Sequence, residues 1–97
     1  MRDLTLNEIA DSQWEWVEKM GWHNKLPIEY VALIGSEVGE SVNECRGAKP
    51  TEKLGAELAD IILRTVGFAK ECGIDIGMAV ADKMAFNLIS GTRGRLK

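Results

Sequence analysis

Residues 36–60, SEVGESVNECRGAKPTEKLGAELAD, read as two helical segments joined by a short loop. Each segment carries a pair of carboxylates three residues apart: Glu37 with Glu40, and Glu57 with Asp60. Residues three apart share a helix face, so packing these helices together gathers four carboxylates around one small volume. Carboxylates at that spacing repel one another unless a cation joins them. A hard, oxygen-ligated ion such as Mg²⁺ suits such a group.

Four helices are predicted from the apolar spacing and the terminal residues along the chain. Thr5 and Glu8 form a capping box for the first helix, and Pro27 suits the first position of the second. Thr51 and Asp75 are predicted to cap the third and fourth helices. The predicted ranges are about 6–20, 28–46, 52–72 and 76–89.

These elements predict a single all-α domain over residues 1–97, with the architecture of an up-down four-helix bundle. No strand pattern, repeat or interdomain linker interrupts them. Residues 91–97 are expected to form a flexible tail. Helices this rich in apolar residues often bury a second face against another copy, so a homodimer or homotetramer is expected. Gly35 and Gly39, four apart in the second helix, are expected to allow close helix approach.

The composition excludes several classes of protein. A hydrophobic content of 45% supports a folded core, and a net charge of -3 argues against a nucleic-acid polymer as partner. No apolar run has the length of a membrane span, and the polar start MRDLTLNEIADSQ is unlike a signal peptide. We therefore expect a cytoplasmic location. Cys45 and Cys72 are predicted to be reduced, mostly buried and too far apart to bridge.

An acidic helix face is usually a solvated surface, and the third helix allows that interpretation. Lys53 and Arg64 each lie four residues from an acid and can form ordinary ion pairs along the helix. The second helix differs, because Glu37, Glu40 and Glu44 have no Lys or Arg three or four residues away. A group outside this helix is expected to neutralise them.

Four further side chains are of uncertain role by spacing alone. Gln13 lies within the apolar face of the first helix, where its amide serves either a structural hydrogen bond or a ligand. Lys83 and Asn87 share a stripe that we expect to face inward on the fourth helix, where a lysine pairs with phosphate or with an acid. Trp22 lies in the first loop, where an aromatic ring can stack on a base.

Three segments in a fixed order resemble the MazG-like nucleotide pyrophosphatases: SEVGE at 36–40, ELAD at 57–60 and KMAFN at 83–87. These belong to the all-α NTP pyrophosphohydrolase superfamily, and the resemblance is nearest to its compact, dCTP pyrophosphatase-like members. It covers nearly the whole chain. It implies a four-helix enzyme that uses Mg²⁺, or Mn²⁺ as a substitute. The implied reaction splits a nucleoside triphosphate, with a dNTP favoured, into monophosphate and pyrophosphate, in the house-cleaning of nucleotide pools.

The resemblance also implies a role for each matched residue. The carboxylates become metal ligands, and Glu37 or Glu40 orients the attacking water. The last helix contacts phosphate or sugar, and the first helix and its loop contact the base. The implied metal ligands are Glu37, Glu40, Glu57 and Asp60, and the implied substrate contacts are Lys83, Asn87, Gln13 and Trp22.

The chain departs from the family pattern at two places. Ser36 stands where many members carry a second glutamate, and the residues after Asn87 lack an Arg and a Tyr-Pro, leaving Arg93 as an offset substitute. Two alternatives stand beside this interpretation. One is a non-catalytic helical oligomerisation module, and the other is a sister enzyme such as a dUTPase-like or phosphoribosyl-ATP pyrophosphohydrolase.

Overall fold

The computed structural model describes residues 2–90, which form four α-helices and no strand. This confirms the all-α prediction for the described part of the chain; the expected tail at 91–97 lies outside it. The helices are α1 (Leu6–Met20), α2 (Pro27–Asn43), α3 (Leu54–Glu71) and α4 (Ile76–Ser90).

Local capping explains most of these boundaries. The capping box is present, with the Glu8 N–H donating to Thr5 Oγ1 at 3.1 Å and the Thr5 N–H donating to Glu8 Oε1 at 2.9 Å. Gly21 ends α1 in the left-handed conformation at φ 76°, which glycine adopts without a steric cost. Asp75 caps α4 by accepting the Met78 N–H at 3.0 Å.

The predicted cap of the third helix is wrong. Thr51 does not cap α3, whose N-cap is Lys53 without a side-chain hydrogen bond. The Thr51 N–H donates to the Glu44 carbonyl at 2.8 Å, and its hydroxyl donates to the Glu44 carboxylate. Thr51 therefore closes the turn between α2 and α3, and α3 begins later than predicted.

The helix α3 lies between α1 and α2. It packs against both neighbours, whereas α1 and α2 do not pack directly against each other among the described residues. The Tyr30 ring of α2 stacks on the Phe68 ring of α3, with 4.8 Å between centroids and 9° between planes. Small side chains complete the core: Ala10, Val17, Val66 and Ala69. A groove remains between α1 and α2, above α3.

The helix α4 is anchored only near its start. Asn7 Oδ1 accepts the Gly77 N–H at 2.9 Å, and the Asn7 amide donates to Asp75 at 2.9 Å. In the described part of the chain α4 touches α1 and α3 but does not pack against α2. From residue 78 to residue 90 every side chain is exposed. The predicted bundle is thus confirmed in part: α1, α2 and α3 pack together through α3, whereas α4 is exposed beyond its first turn.

Two packing predictions, the burial of the cysteines and the role of the helical glycines, are wrong. Cys45 and Cys72 are exposed rather than buried, because each lies just beyond its helix, where the chain turns at the surface. A Cβ built on Gly35 or Gly39 meets no atom within 4 Å. Within one chain, therefore, neither glycine serves close helix approach. No helix of residues 2–90 is both long enough and apolar enough to span a membrane.

Candidate functional site

The structure brings together three of the four predicted carboxylates. Glu37, Glu40 and Glu57 each offer an oxygen, and these oxygens lie within 4.8 Å of one another. Glu37 is buried against α3, Glu57 is half-buried in the first turn of α3, and Glu40 is exposed one turn along α2. We call these three residues the acid cluster.

Asp60, the fourth predicted ligand, lies outside this group. It is exposed on α3, one turn after Glu57. Its charge still acts on the cluster, because it is among the groups that raise the pKa of Glu57. Asp60 also lines the neighbouring cavity, as Glu37 of the acid cluster does.

Among residues 2–90, the charges of the acid cluster are not fully compensated. Burial, followed by the charge and hydrogen bonding of Glu40, raises the pKa of the Glu57 carboxyl. Glu57 Oε1 is buried and has no hydrogen-bond partner among the described residues. Buried polar atoms normally have a hydrogen-bond partner, so this oxygen is suited to ligate a cation. The residues therefore fit a hard, oxygen-ligated cation.

The spacing of the oxygens also suits such an ion. Opposite ligands around Mg²⁺ lie about 4.2 Å apart, since each Mg–O bond is about 2.1 Å. Adjacent ligands lie closer, at about 3.0 Å, so oxygens within 4.8 Å of one another must approach by side-chain rotation to share one ion. Mn²⁺ takes similar oxygen ligands.

Arg64 supplies a counter-charge to the acid cluster. Its Nε donates to Glu37 Oε2 at 3.2 Å, so a group outside α2 does neutralise one of its glutamates, as expected. The ion pairs allowed within α3, Lys53 with Glu57 and Asp60 with Arg64, are not among those of residues 2–90. Burial explains why Arg64 pairs with Glu37 instead of Asp60. An enclosed carboxylate needs a partner more than the exposed Asp60 does.

A cavity of about 490 Å³ fills the groove between α1 and α2. This volume lies within the usual range for small-molecule sites. The lining combines the charged residues beside the acid cluster with aromatic and aliphatic side chains. It consists of Gln13, Val17, Trp22, Lys25, Tyr30, Leu33, Glu37, Asp60, Leu63, Arg64 and Gly67.

Gln13 and Trp22 both line this cavity, as the assignment to a base pocket requires. Gln13 is half-buried, and its amide has no hydrogen-bond partner among the described side chains and backbone. The Trp22 ring packs edge-on against Trp16 at 6.3 Å between centroids. Both side chains therefore remain able to contact a ligand. They lie beside the same cavity as Glu37.

Sequence reasoning missed Tyr30, which lines the cavity, and Glu71, which accepts its hydrogen bond. The Tyr30 hydroxyl donates to Glu71 Oε1 at 2.7 Å, and the Asn24 N–H donates to the same oxygen at 2.7 Å. These bonds fix the first loop, and Trp22 with it, against the end of α3. The signal for Tyr30 was available, since it precedes Glu37 by seven residues and therefore shares its helix face.

Lys83 and Asn87 lie elsewhere in this chain. Neither lines the cavity or belongs to the acid cluster, and both are exposed. The Lys83 ammonium lies 4.9 Å from the centroid of the Phe86 ring. The stripe that we expected to face inward is exposed instead, because α4 does not pack along α2 or the length of α3.

Comparisons of the chain with protein-family models, with curated proteins and with solved structures found no match in any of the three. The chemistry of the site must therefore be judged from its own residues. They offer carboxylate oxygens that suit a hard cation, and Arg64 paired with the buried Glu37. Beside them is a cavity lined in part by the aromatic rings of Trp22 and Tyr30.

The pair of Tyr30 and Glu71 predicts how stability depends on pH. Burial, and then the Glu71 carboxylate, raise the pKa of Tyr30 to about 12. Hydrogen bonds from Tyr30 and Asn24 lower the pKa of Glu71. The folded state thus favours the neutral phenol, a contribution lost as pH rises from 10.0 toward that value. It also favours the Glu71 carboxylate, a contribution lost as pH falls below 4.5.

We expect the contribution of this pair to the free energy of unfolding, measured by urea denaturation as the difference between the original chain and Tyr30→Phe, to be flat from about pH 6 to pH 9 and to fall on both sides. Tyr30→Phe removes the titrating hydroxyl and should flatten the alkaline side. It should also make the acid side shallower, because Glu71 loses one donor. An alkaline fall as steep in the variant as in the original chain contradicts this assignment.

Proposed function

We propose that this chain is a Mg²⁺-dependent nucleoside triphosphate pyrophosphohydrolase that converts a (d)NTP into the monophosphate and pyrophosphate. The observation that carries the proposal is the acid cluster of Glu37, Glu40 and Glu57 beside a cavity of ligand size. The resemblance of the three sequence segments to the MazG-like family supports it. House-cleaning of nucleotide pools in the cytoplasm is the role that fits this activity.

The acid cluster would hold the cation, with Asp60 as the fourth oxygen ligand on its cavity side. When bound, Mg²⁺ offsets the charge of the polyphosphate and of the departing pyrophosphate. Mn²⁺ can replace it, since both ions accept carboxylate oxygens. The buried Glu57 oxygen without a hydrogen-bond partner among the described residues supports this assignment, because a cation would satisfy it.

The chain's own carboxylates position the water. Between Glu37 and Glu40, Glu40 is the better base, because it is exposed to solvent, whereas Glu37 is buried against α3. The water oxygen forms a bond to the α-phosphorus, and the bond from that phosphorus to the bridging oxygen breaks. The carboxylate accepts the proton from the water, and pyrophosphate leaves with the bonding electrons. Positioning and electrostatics supply most of the rate in such transfers.

The nucleobase of the substrate would occupy the aromatic part of the cavity. The Trp22 ring can stack on it, and the Gln13 amide can both donate to and accept from its edge. The bonds of Tyr30 and Asn24 to Glu71 would hold this wall in place before the substrate binds. A dNTP is the favoured substrate class, from the resemblance to dCTP pyrophosphatase-like enzymes.

A homo-oligomer would account for two surfaces that one chain leaves bare. The first is an apolar face of α2 and α3, and the second is the distal part of α4. The exposed residues of the first are Val31, Val38, Val42, Leu58 and Ile62, and those of the second are Met84, Phe86, Leu88 and Ile89. Exposed apolar area of this extent is typical of an interaction site. A homodimer or homotetramer would also let α4 of one copy present Lys83 and Asn87 to another copy's substrate.

Val38→Glu is expected to break this assembly. Val38 is 46% exposed in one chain, so the change costs little within the monomer, whereas a charge buried between copies is costly. Light scattering after size-exclusion chromatography should show an oligomer for the original chain and a monomer for the variant. Met20→Glu on α1 is the matched control, since Met20 is 44% exposed. An unchanged oligomer in Val38→Glu would remove this face from the interface.

The enzymatic proposal is tested by incubating the purified protein with each NTP and dNTP, with and without Mg²⁺, and assaying pyrophosphate and monophosphate. Mg²⁺-dependent release of both products supports it, and the ranking of substrates describes the cavity. Cleavage of dUTP alone, or of phosphoribosyl-ATP alone, would indicate a sister enzyme. If nothing is cleaved and Mg²⁺ leaves the melting temperature unchanged, the oligomerisation module, favoured by the exposed α4, replaces this proposal.

A further inference from the structure

We propose that Arg64, which pairs with Glu37, is a polyphosphate-binding residue that turns to the substrate once a divalent cation occupies Glu37. The inference rests on the proposed function and adds to it a binding residue on α3. It is carried by the hydrogen bonding and position of the Arg64 side chain.

The guanidinium of Arg64 is only partly engaged. Its Nε donates to Glu37 Oε2 at 3.2 Å, and its two terminal nitrogens have no acceptor among residues 2–90. The side chain is 43% exposed and lines the cavity. An arginine carries five N–H donors in a fixed fork, so four of them remain available to an anion in that cavity.

Burial explains why Arg64 pairs with Glu37. The Glu37 side chain is 11% exposed, and an enclosed carboxylate without a counter-charge is strongly disfavoured. A divalent cation on the same carboxylate compensates that charge and repels the guanidinium at close range. Metal binding therefore weakens the hold of Glu37 on Arg64, and it brings with it an anion that Arg64 can bind.

Polyphosphate is the anion best suited to this position. The arginine fork matches phosphate oxygens in pairs. The other cation on the cavity wall, Lys25, contacts the first loop and α2: its ammonium donates to the Trp22 carbonyl and lies 5.3 Å from the centroid of the Tyr30 ring, and among residues 2–90 it forms no ion pair with the acid cluster. Among the residues that line the cavity, Arg64 is thus the cation in direct contact with the acid cluster.

A purely structural role for Arg64 makes a different prediction. If Arg64 only holds Glu37 in position for the metal, removing it weakens the binding of both metal and anion. If Arg64 competes with the metal for Glu37 and then binds phosphate, removing it strengthens Mg²⁺ binding and weakens anion binding. The two effects of opposite sign separate the roles.

The test uses isothermal titration of Mg²⁺ alone, and then of inorganic pyrophosphate at saturating Mg²⁺, into the whole chain. For Arg64→Gln we expect the Mg²⁺ dissociation constant to fall by about threefold or more, and that of pyrophosphate to rise by about tenfold or more. Arg64→Lys keeps the charge without the fork and should lie between. Arg46→Gln removes an equal charge at an exposed position that bonds only to Asn43 among the described residues, and should change neither constant by more than about twofold.

Weaker Mg²⁺ binding in Arg64→Gln, or unchanged pyrophosphate binding, overturns the inference. If Arg64→Gln fails to fold by circular dichroism, Arg64→Lys decides, because it preserves the ion pair and should still weaken pyrophosphate binding. If the chain hydrolyses nucleotides but Arg64→Gln binds pyrophosphate as well as the original chain does, the proposed function stands and the role of Arg64 is wrong. A chain that binds neither Mg²⁺ nor pyrophosphate loses both proposals.

Discussion

Glu40→Gln is expected to abolish Mg²⁺-dependent pyrophosphate release, a fall of at least about 10³-fold, and to leave the helices intact. The amide keeps the size of the side chain but removes the charge that would hold the cation and accept the proton from water. Glu40 is exposed, so no core packing is lost. The change also relieves repulsion within the acid cluster, since Glu40 acts on Glu57.

The melting temperature should therefore separate loss of function from loss of fold. In EDTA we expect the variant to melt at or above the temperature of the original chain, and added Mg²⁺ should no longer raise that temperature. Glu18→Gln on α1 is the matched control, because Glu18 is exposed and lies outside the acid cluster. Full activity in Glu40→Gln would remove Glu40 from the site, and equal loss in both variants would indicate a general effect of charge.

Tyr30→Ala is expected to lower the free energy of unfolding by about 3 kcal/mol, the usual cost of truncating a packed aromatic residue. Tyr30 is 6% exposed and is the largest of the buried apolar residues in the described part of the chain. Its ring stacks on Phe68, and its hydroxyl donates to Glu71. For a domain of this size the loss corresponds to a fall in melting temperature of roughly 12–24 °C.

Tyr30→Phe is the control that separates packing from hydrogen bonding. It keeps the stacked ring and loses only the bond to Glu71, for which about 1 kcal/mol is expected. Both variants should be melted at one protein concentration, because self-association makes the melting temperature depend on concentration. A change of less than about 3 °C in Tyr30→Ala, judged against about 4–8 °C per kcal/mol, would show that this aromatic contact does not stabilise the fold.

The exposed α4 bears on both the proposed activity and the proposed homo-oligomer. Within one chain it carries Lys83 and Asn87 away from the acid cluster, although the resemblance to MazG-like pyrophosphatases implies that both contact substrate. In the proposed oligomer, a single chain would supply the acid cluster, the aromatic cavity and Arg64, and α4 of another copy would supply Lys83 and Asn87. Activity and assembly should therefore be lost together in Val38→Glu, if α4 of a second copy completes the site.

The helices were predictable because the interactions that define them are local. The capping box of Thr5 and Glu8, the left-handed Gly21 and the cap Asp75 each act within four residues. The acid cluster was predictable for a related reason. An i,i+3 spacing fixes which side chains share a face, and a short loop between two helices leaves them little choice but to pack as neighbours.

Only the tertiary structure decided the partners of residues far apart in the chain. Arg64 lies four residues from Asp60 but pairs with Glu37, twenty-seven residues away, because burial of Glu37 outweighs the proximity of an exposed acid. Cys45 is exposed because Thr51 bonds to Glu44 and sets where the turn begins. The sequence alone determined which residues form helices and which carboxylates share a face. Packing around α3 decided which charges are enclosed, which face forms the cavity and where α4 points, because burial depends on neighbours that no local pattern specifies.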